Sequence, residues 1–181
     1  MEKRMLVLVD ENDNVTGSET KEKCHDGDGI LHRAFSAFIF NSKNQLLIHK
    51  RSGLKRLWPL YWTNTCCSHP SINETYEEGG ERRVREELGI SCPLKFLYKF
   101  HYQVPFKDKG SENEMCAVLV GRCDDEPKPD PKEVAEWKFA DIDELAKDIE
   151  NNPDNYTPWF KMEMKRLIQD FRKEIGLEAI F

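Results

Sequence analysis

The chain has 181 residues, 39% hydrophobic and 33% charged, which suits one globular domain of roughly 100–200 residues with a highly charged surface. Ten Phe, five Tyr and four Trp exclude a disordered chain, and 27 basic against 33 acidic residues, a net charge of −6, exclude a generally basic nucleic-acid binder. Eleven acids against four lysines in 124–150 carry most of the deficit, so the remainder is near neutral and compatible with an anionic small substrate.

Strands are expected at 4–9, 34–40 and 45–50, and the turn composition Asn41-Ser42-Lys43-Asn44 makes the last two a hairpin. Aromatic and β-branched residues make 61–67 a further strand. A highly charged helix is expected over 75–88, ending at Gly89, a natural C-cap residue. The segment 94–104 alternates, with Phe96, Tyr98, Phe100, Tyr102 and Val104 on one face, and 112–121 places Glu112, Glu114, Cys116, Val118 and Val120 on one side. Three prolines among charges in 124–131 read as a surface loop between two strands.

Asp141-Ile142-Asp143-Glu144 is a capping sequence for a helix carrying Leu145, Ala146 and Ile149. Thr157-Pro158 opens the last helix, whose apolar stripe is Phe160, Met164, Leu167, Ile168, Phe171 and Ile175. Strands interrupted by a few helices give an α/β (α+β) class, a mixed sheet sandwiched by helices in one domain over 1–181.

No stretch approaches the ~20 apolar residues that span a bilayer, and the apolar run 5–9 is shorter than the roughly 7–15-residue core of an export signal. The six cysteines are scattered and form no Cys-x-x-Cys pair, which favours reduced thiols over a disulfide framework or zinc ribbon. A cytoplasmic location is expected, with no membrane or nucleic-acid partner and a monomeric working unit.

The segment from Ser68 to Ile90 resembles the Nudix box, Gly-x5-Glu-x7-Arg-Glu-U-x-Glu-Glu-x-Gly-U with U apolar. Glu74, Arg82, Val84, Glu86, Glu87, Gly89 and Ile90 match in register, whereas Ser68 stands at the first glycine and Arg83 at a glutamate. The resemblance implies a Nudix core over about 31–165. In Nudix hydrolases the helix-borne glutamates hold divalent cations that activate water. A guanidinium in place of one carboxylate changes the local charge by two, which lowers metal occupancy and supplies a bidentate donor to phosphate. Gly79 and Gly80 each cost the helix about 0.8–1.0 kcal/mol against alanine, which close packing of that face on the sheet would explain.

The run Trp58-Pro59-Leu60-Tyr61-Trp62-Thr63-Asn64-Thr65-Cys66-Cys67-Ser68-His69-Pro70 resembles the signature of the type 1 isopentenyl-diphosphate isomerases. So do His25 and His32, Tyr102, Glu112-Asn113-Glu114 and Thr157-Pro158-Trp159, in the family's order. That resemblance implies conversion of isopentenyl diphosphate to dimethylallyl diphosphate through protonation of an alkene, a tertiary carbocation and loss of a neighbouring proton. Cys67 and Glu114 would be the proton-transfer groups, Tyr102 assisting Glu114, with the acid and base roles open between them. Trp159 would face the cation, as an indole does at about 2 kcal/mol when desolvated, and Trp58 and Trp62 would wall the pocket.

The resemblance further implies that His25, His32, His69, Glu112 and Glu114 hold a metal. Three imidazoles and two carboxylates suit Mn2+ or Mg2+, or Zn2+. Lys21, Arg51, Lys55 and Arg83 would anchor the diphosphate, with a Mg2+ bridged to Glu87. Lys50 and Arg56 adjoin this set and would steer the substrate, His49 and His101 have no role, and Cys66 points away from Cys67. Two other readings compete: a Nudix pyrophosphohydrolase, and a catalytically idle metal-binding module.

Overall fold

The computed structural model describes residues 4–176. Its centre is β3 (His32–Phe40), an almost wholly buried strand that runs parallel to β8 (Ser111–Arg122). On the far side of β8 lies the antiparallel β7 (Leu94–Pro105), and at the start of β3 the hairpin of β1 (Met5–Val9) and β2 (Val15–Thr20) joins the same sheet. A mixed sheet with helices on both faces agrees with the class expected from sequence.

The expected hairpin of β3 and β4 (Leu46–Arg51) exists, but its ladder is a single pair, Phe40 opposite Leu46. Beyond that pair β4 turns to β9 (Val134–Ala140) and to β5 (Trp62–Thr63), while β3 takes β6 (Cys66–Ser68) instead. The single strand expected over 61–67 is therefore two short ones. They part where the buried side chains of Asn64 and Thr65 bond to backbone carbonyls rather than continuing a ladder.

Strand alternation divides the interior into two layers. Phe35, Ala37 and Ile39 of β3 join Ala117 and Leu119 of β8 beneath α2 (Tyr76–Leu88), which contributes Val84 and Leu88. Phe38 and Phe40 join Cys116 and Val118 on the opposite face, covered by α3 (Ile142–Asn151) and α4 (Pro158–Asp170). A bulge between Phe96 and Tyr98 reverses the faces of β7, which corrects the expected stripe. Tyr98, Phe100, Tyr102 and Val104 do share the α4 face, but Phe96 turns outward with an exposed ring.

The helix ends follow their sequence signals. Thr75 and Glu78 form a reciprocal capping box on α2, and Gly89 ends it in the left-handed conformation. Asp141 caps α3, and Pro158 opens α4, whose stripe continues past the helix end through Phe171 to the buried Ile175. The glycine pair of α2 is a packing requirement. A Cβ on Gly80 would stand 2.6 Å from Leu119 Cδ1, and one on Gly79 would stand 2.8 Å from the Pro70 backbone. The proline-rich segment after β8 is a loop leading into β9, as its composition indicated. No helix among the described residues is long and apolar enough to cross a membrane.

Candidate active site

Three short features bring the chemistry to one end of the sheet. Helix α1 (Lys21–Cys24) presents Lys21 and His25, the end of β6 presents Cys67 and His69, and the start of β8 presents Glu112 and Glu114. Between them is a cavity of about 240 Å³ lined by Lys21, His25, Arg51, Lys55, Cys67, His69, Arg83, Glu87, Tyr102, Glu112, Glu114 and Trp159. Small-molecule sites run from roughly 300 to 1,000 Å³, so the space suits a small substrate. Of the catalytic, substrate-binding and metal-ligating residues expected from sequence, only His32 does not line it, because it lies fully buried behind.

His25, His32 and His69 surround one point, with ring centroids 4.9–5.5 Å apart. Their ligating atoms and a Glu114 oxygen all lie within 4.8 Å of one another. His25 Nδ1 lies 2.7 Å from Lys21 O and His32 Nδ1 lies 2.7 Å from Ile30 O. A carbonyl only accepts, so each Nδ1 carries a proton and each Nε2 faces the other ligands. His32 Nε2 and Glu112 Oε2 are buried without a hydrogen-bond partner, although Glu112 Oε2 is only 2.9 Å from His25 Nε2. Burial, then the two neighbouring imidazoles, push His69 well below its ordinary range, so it is neutral and fit to ligate. Unpartnered nitrogen and oxygen ligand atoms converging this way fit a divalent metal.

Glu114 also accepts from Tyr102 Oη at 2.6 Å. Burial alone would raise the Glu114 carboxyl, but His32, Tyr102 and His25 hold it below the usual range. Cys67 sits on the same face of the sheet. Its sulfur lies 2.7 Å from Asn64 Oδ1, takes the Trp159 indole N–H at 3.1 Å, and contacts the hydroxyls of Ser36 and Thr63 at 3.7 Å. Burial pushes the thiol up to about 12, and the Glu163 carboxylate adds to that. Cys66 packs in the opposite layer, as alternation requires.

Arg83 bridges three carboxylates, reaching Glu86 at 2.6 Å, Glu87 and Glu133, and donates from Nε to Ser68 at 3.0 Å. Lys55 pairs with Glu133. Burial first, then Lys55 and Arg4, lower Lys21, so an arriving anion relieves repulsion within this cluster. Arg51 is more committed than its sequence position suggested. It donates to the carbonyls of Leu57 and Trp58, and its guanidinium stands 5.3 Å from the centre of the Trp159 ring.

Several expectations need correction or addition. Trp58 stacks edgewise on Trp159 at 5.1 Å without lining the cavity, and Trp62 lies under Lys138 instead of walling the site. Arg56 lines the cavity, whereas Lys50 pairs with Glu136 outside it. His49 is buried against Thr65 O and His101 is exposed, both away from the metal cluster. Sequence reasoning assigned nothing to Glu133, Ser36 or Glu163. Glu133 was one acid among many, Ser36 carried no signal, and Glu163 was legible only as a charge within the buried arc of α4.

The NUDIX domain family model matches residues 30–160. The chain is 46% identical over 167 residues to "Isopentenyl-diphosphate Delta-isomerase 1" of Photorhabdus laumondii, covering 91% of this chain and 95% of that protein. It is 39% identical to "Isopentenyl-diphosphate Delta-isomerase" of Serratia proteamaculans, covering 90% of each. Among solved structures, a Deinococcus radiodurans protein superposes with a TM-score of 0.74 at 24% identity, covering 90% of this chain and 98% of that one. The MutT protein of Methanosarcina mazei gives 0.65 at 18%, covering 77% and 94%. At these identities the two structures speak to the fold alone.

Proposed function

The chain belongs to the isopentenyl-diphosphate Delta-isomerases, built on a NUDIX domain, and from that premise we propose how its own residues carry out the reaction. It is an isomerase acting on a small diphosphate, interconverting isopentenyl and dimethylallyl diphosphate. The reaction needs one proton delivered to an unactivated alkene and another removed two carbons away. Cys67 and Glu114 are the pair that exchanges these protons, and their roles reverse with the direction of reaction. The observation that carries this reading is that both line one cavity, each held by an aromatic hydrogen bond, from Trp159 and Tyr102 respectively.

His25, His32, His69, Glu112 and Glu114 would hold a divalent ion, Mn2+, Mg2+ or Zn2+, whose charge lowers the basicity of Glu114 and fixes its position. Tyr102 keeps its proton, because burial and the charges of Glu114 and Glu112 raise it far above its ordinary range. It therefore acts as a donor that orients Glu114. Lys21, Lys55 and Arg83 bind the diphosphate along the cavity wall, and the buried Glu87 would hold a Mg2+ that balances its charge. Arg51 holds the loop behind Trp159 and adds its charge to the same wall. Trp159, Tyr102 and Leu57 exclude water from the five-carbon end, where a transient cation would otherwise be captured.

The hydrolase alternative is disfavoured by Arg83, which occupies the box position of a metal-binding glutamate and pairs with the neighbouring Glu86 and Glu87. A monomeric, single-domain enzyme in a cytoplasmic setting is part of the same reading, and the family match over residues 30–160 is consistent with a single domain. Product analysis tests the reading. Isopentenyl diphosphate should be converted to dimethylallyl diphosphate without loss of phosphate. Release of inorganic phosphate or a monophosphate would contradict it, as would recovery of unchanged substrate.

A further inference from the structure

One buried acid has no part in the chemistry above. Glu163 follows Trp159 by one turn of α4, so both face the sheet. Its side chain has no exposed surface, and its Oε2 has no hydrogen-bond partner. Its Oε1 lies 3.7 Å from Cys116 Sγ, which lies 3.5 Å from Ser36 Oγ, which lies 3.7 Å from Cys67 Sγ. These contacts link a carboxyl group on α4 to the reacting sulfur through β8 and β3.

The ionisation of Glu163 sets which way the hydrogen bonds along that line run. The Asn64 amide nitrogen donates to Ala37 O and Cys66 O, so its Oδ1 faces Cys67 and only accepts. The Cys67 S–H therefore points to Asn64, leaving sulfur lone pairs toward Ser36. Ser36 and Cys116 own one proton each. If Glu163 is un-ionised, its O–H donates to Cys116, the Cys116 S–H donates to Ser36, and the Ser36 O–H donates to Cys67. If Glu163 is ionised it only accepts, so it draws the Cys116 proton to itself. Ser36 then loses the donor behind it, and its own hydroxyl is attracted to the charge.

Resting on the isomerase reading, we propose that Glu163 is a positioning residue whose un-ionised carboxyl aligns the hydrogen-bond chain ending at the Cys67 sulfur. Burial supports the neutral state by pushing the carboxyl up to about 8, against the pull of Ser36 and Cys116 and with that of Glu114. The titratable groups around it are Cys116 and Glu114 of β8, Cys67 of β6, and Tyr98 of β7, whose hydroxyl is also unpartnered. On its own helix Arg166 lies over the Tyr98 ring at 4.1 Å.

The test compares turnover against pH for the wild-type protein, Glu163→Gln and Glu163→Leu, each with its thermal midpoint. The wild-type rate should fall through an alkaline limb near pH 8. Glu163→Gln keeps a neutral donor and should turn over within a few-fold of wild type, with that limb absent. Glu163→Leu should lose on the order of 10-fold in kcat with KM unchanged, the effect of about 1.4 kcal/mol in the barrier. A Gln variant that keeps the alkaline limb, a wild-type profile flat beyond pH 9, or a Leu variant with full kcat would overturn the proposal. Infrared spectra separate this from the isomerase reading. A buried carboxylic-acid C=O band at neutral pH, missing in Glu163→Gln, is expected even if the protein does not act on isopentenyl diphosphate, and its absence from the wild type would overturn the neutral state.

Discussion

Tyr102 and Glu114 are direct cross-strand partners in the β7–β8 ladder, and the phenol donates to Glu114 Oε2 at 2.6 Å. Ladder register alone makes the pair, because opposed side chains share a face. The bulge at 96–98 is what puts Tyr102 on the site's face, since without it the ring would turn to the solvent side. Tyr102→Phe keeps the ring packing and removes the donor. A hydrogen bond to a charged group is worth about 1.5–3 kcal/mol, so kcat should fall roughly 10- to 100-fold with KM little changed. Steady-state kinetics check this.

The imidazole cage should make stability depend on a divalent ion. A ligand present at 100 times its Kd stabilises a fold by about 2.7 kcal/mol. Treatment with a chelator should lower the thermal midpoint of the wild-type protein, and adding Mn2+ or Zn2+ should restore it. The same titration on His32→Ala should show a much smaller shift, because His32 lies behind the cavity and acts only through the cage.

Arg83 should matter for anion binding beyond its place in the helix. Its guanidinium reaches Ser68 and three carboxylates beside the cavity. Arg83→Gln is expected to weaken inorganic pyrophosphate binding by about 10- to 100-fold, the loss of one charge-assisted contact. It should also lower the thermal midpoint, because the buried Glu87 loses its partner. Calorimetry and thermal melts on one sample separate the two effects.

Acid should erase the contribution of Glu133. Burial raises its carboxyl, but Lys55, Arg83 and Lys21 outweigh that and hold it down to about 2 from an ordinary 4.5. The folded value is below the unfolded one, so its stabilisation is complete above about pH 4.5 and is lost as pH falls through 2. The stability gap between wild type and Glu133→Gln, on the order of 1 kcal/mol after solvent screening, should close over that window in denaturant titrations.

Much of this was legible because it rests on short-range rules. Period-2 alternation placed Glu112, Glu114 and Cys116 on one side of β8 and set Cys66 opposite Cys67, while capping residues marked α2 and α3 and Pro158 marked α4. Strand β2 was missed because its residues are mostly polar and exposed, with Val15 alone apolar and itself exposed, so it has no buried face to reveal a period. The bulge in β7 left no trace in a run of alternating aromatics. Arg51 read as a free charge because its partners are the carbonyls of Leu57 and Trp58, which no side-chain pattern encodes. The link from Glu163 to Cys67 crosses three elements distant in sequence, and only the assembled sheet brings them together.

The central claim is that Cys67 and Glu114 move two protons across one substrate in a shared cavity. Isopentenyl diphosphate incubated in deuterated water tests it directly, with Cys67→Ala and Glu114→Gln run beside the wild-type protein. The wild type should yield dimethylallyl diphosphate carrying solvent deuterium, and each variant should lose at least about 1,000-fold in rate, the scale of positioned acid–base catalysis, while keeping its fold by circular dichroism. Dimethylallyl diphosphate formed without deuterium, or a well-folded Cys67→Ala protein working at the wild-type rate, would contradict the account.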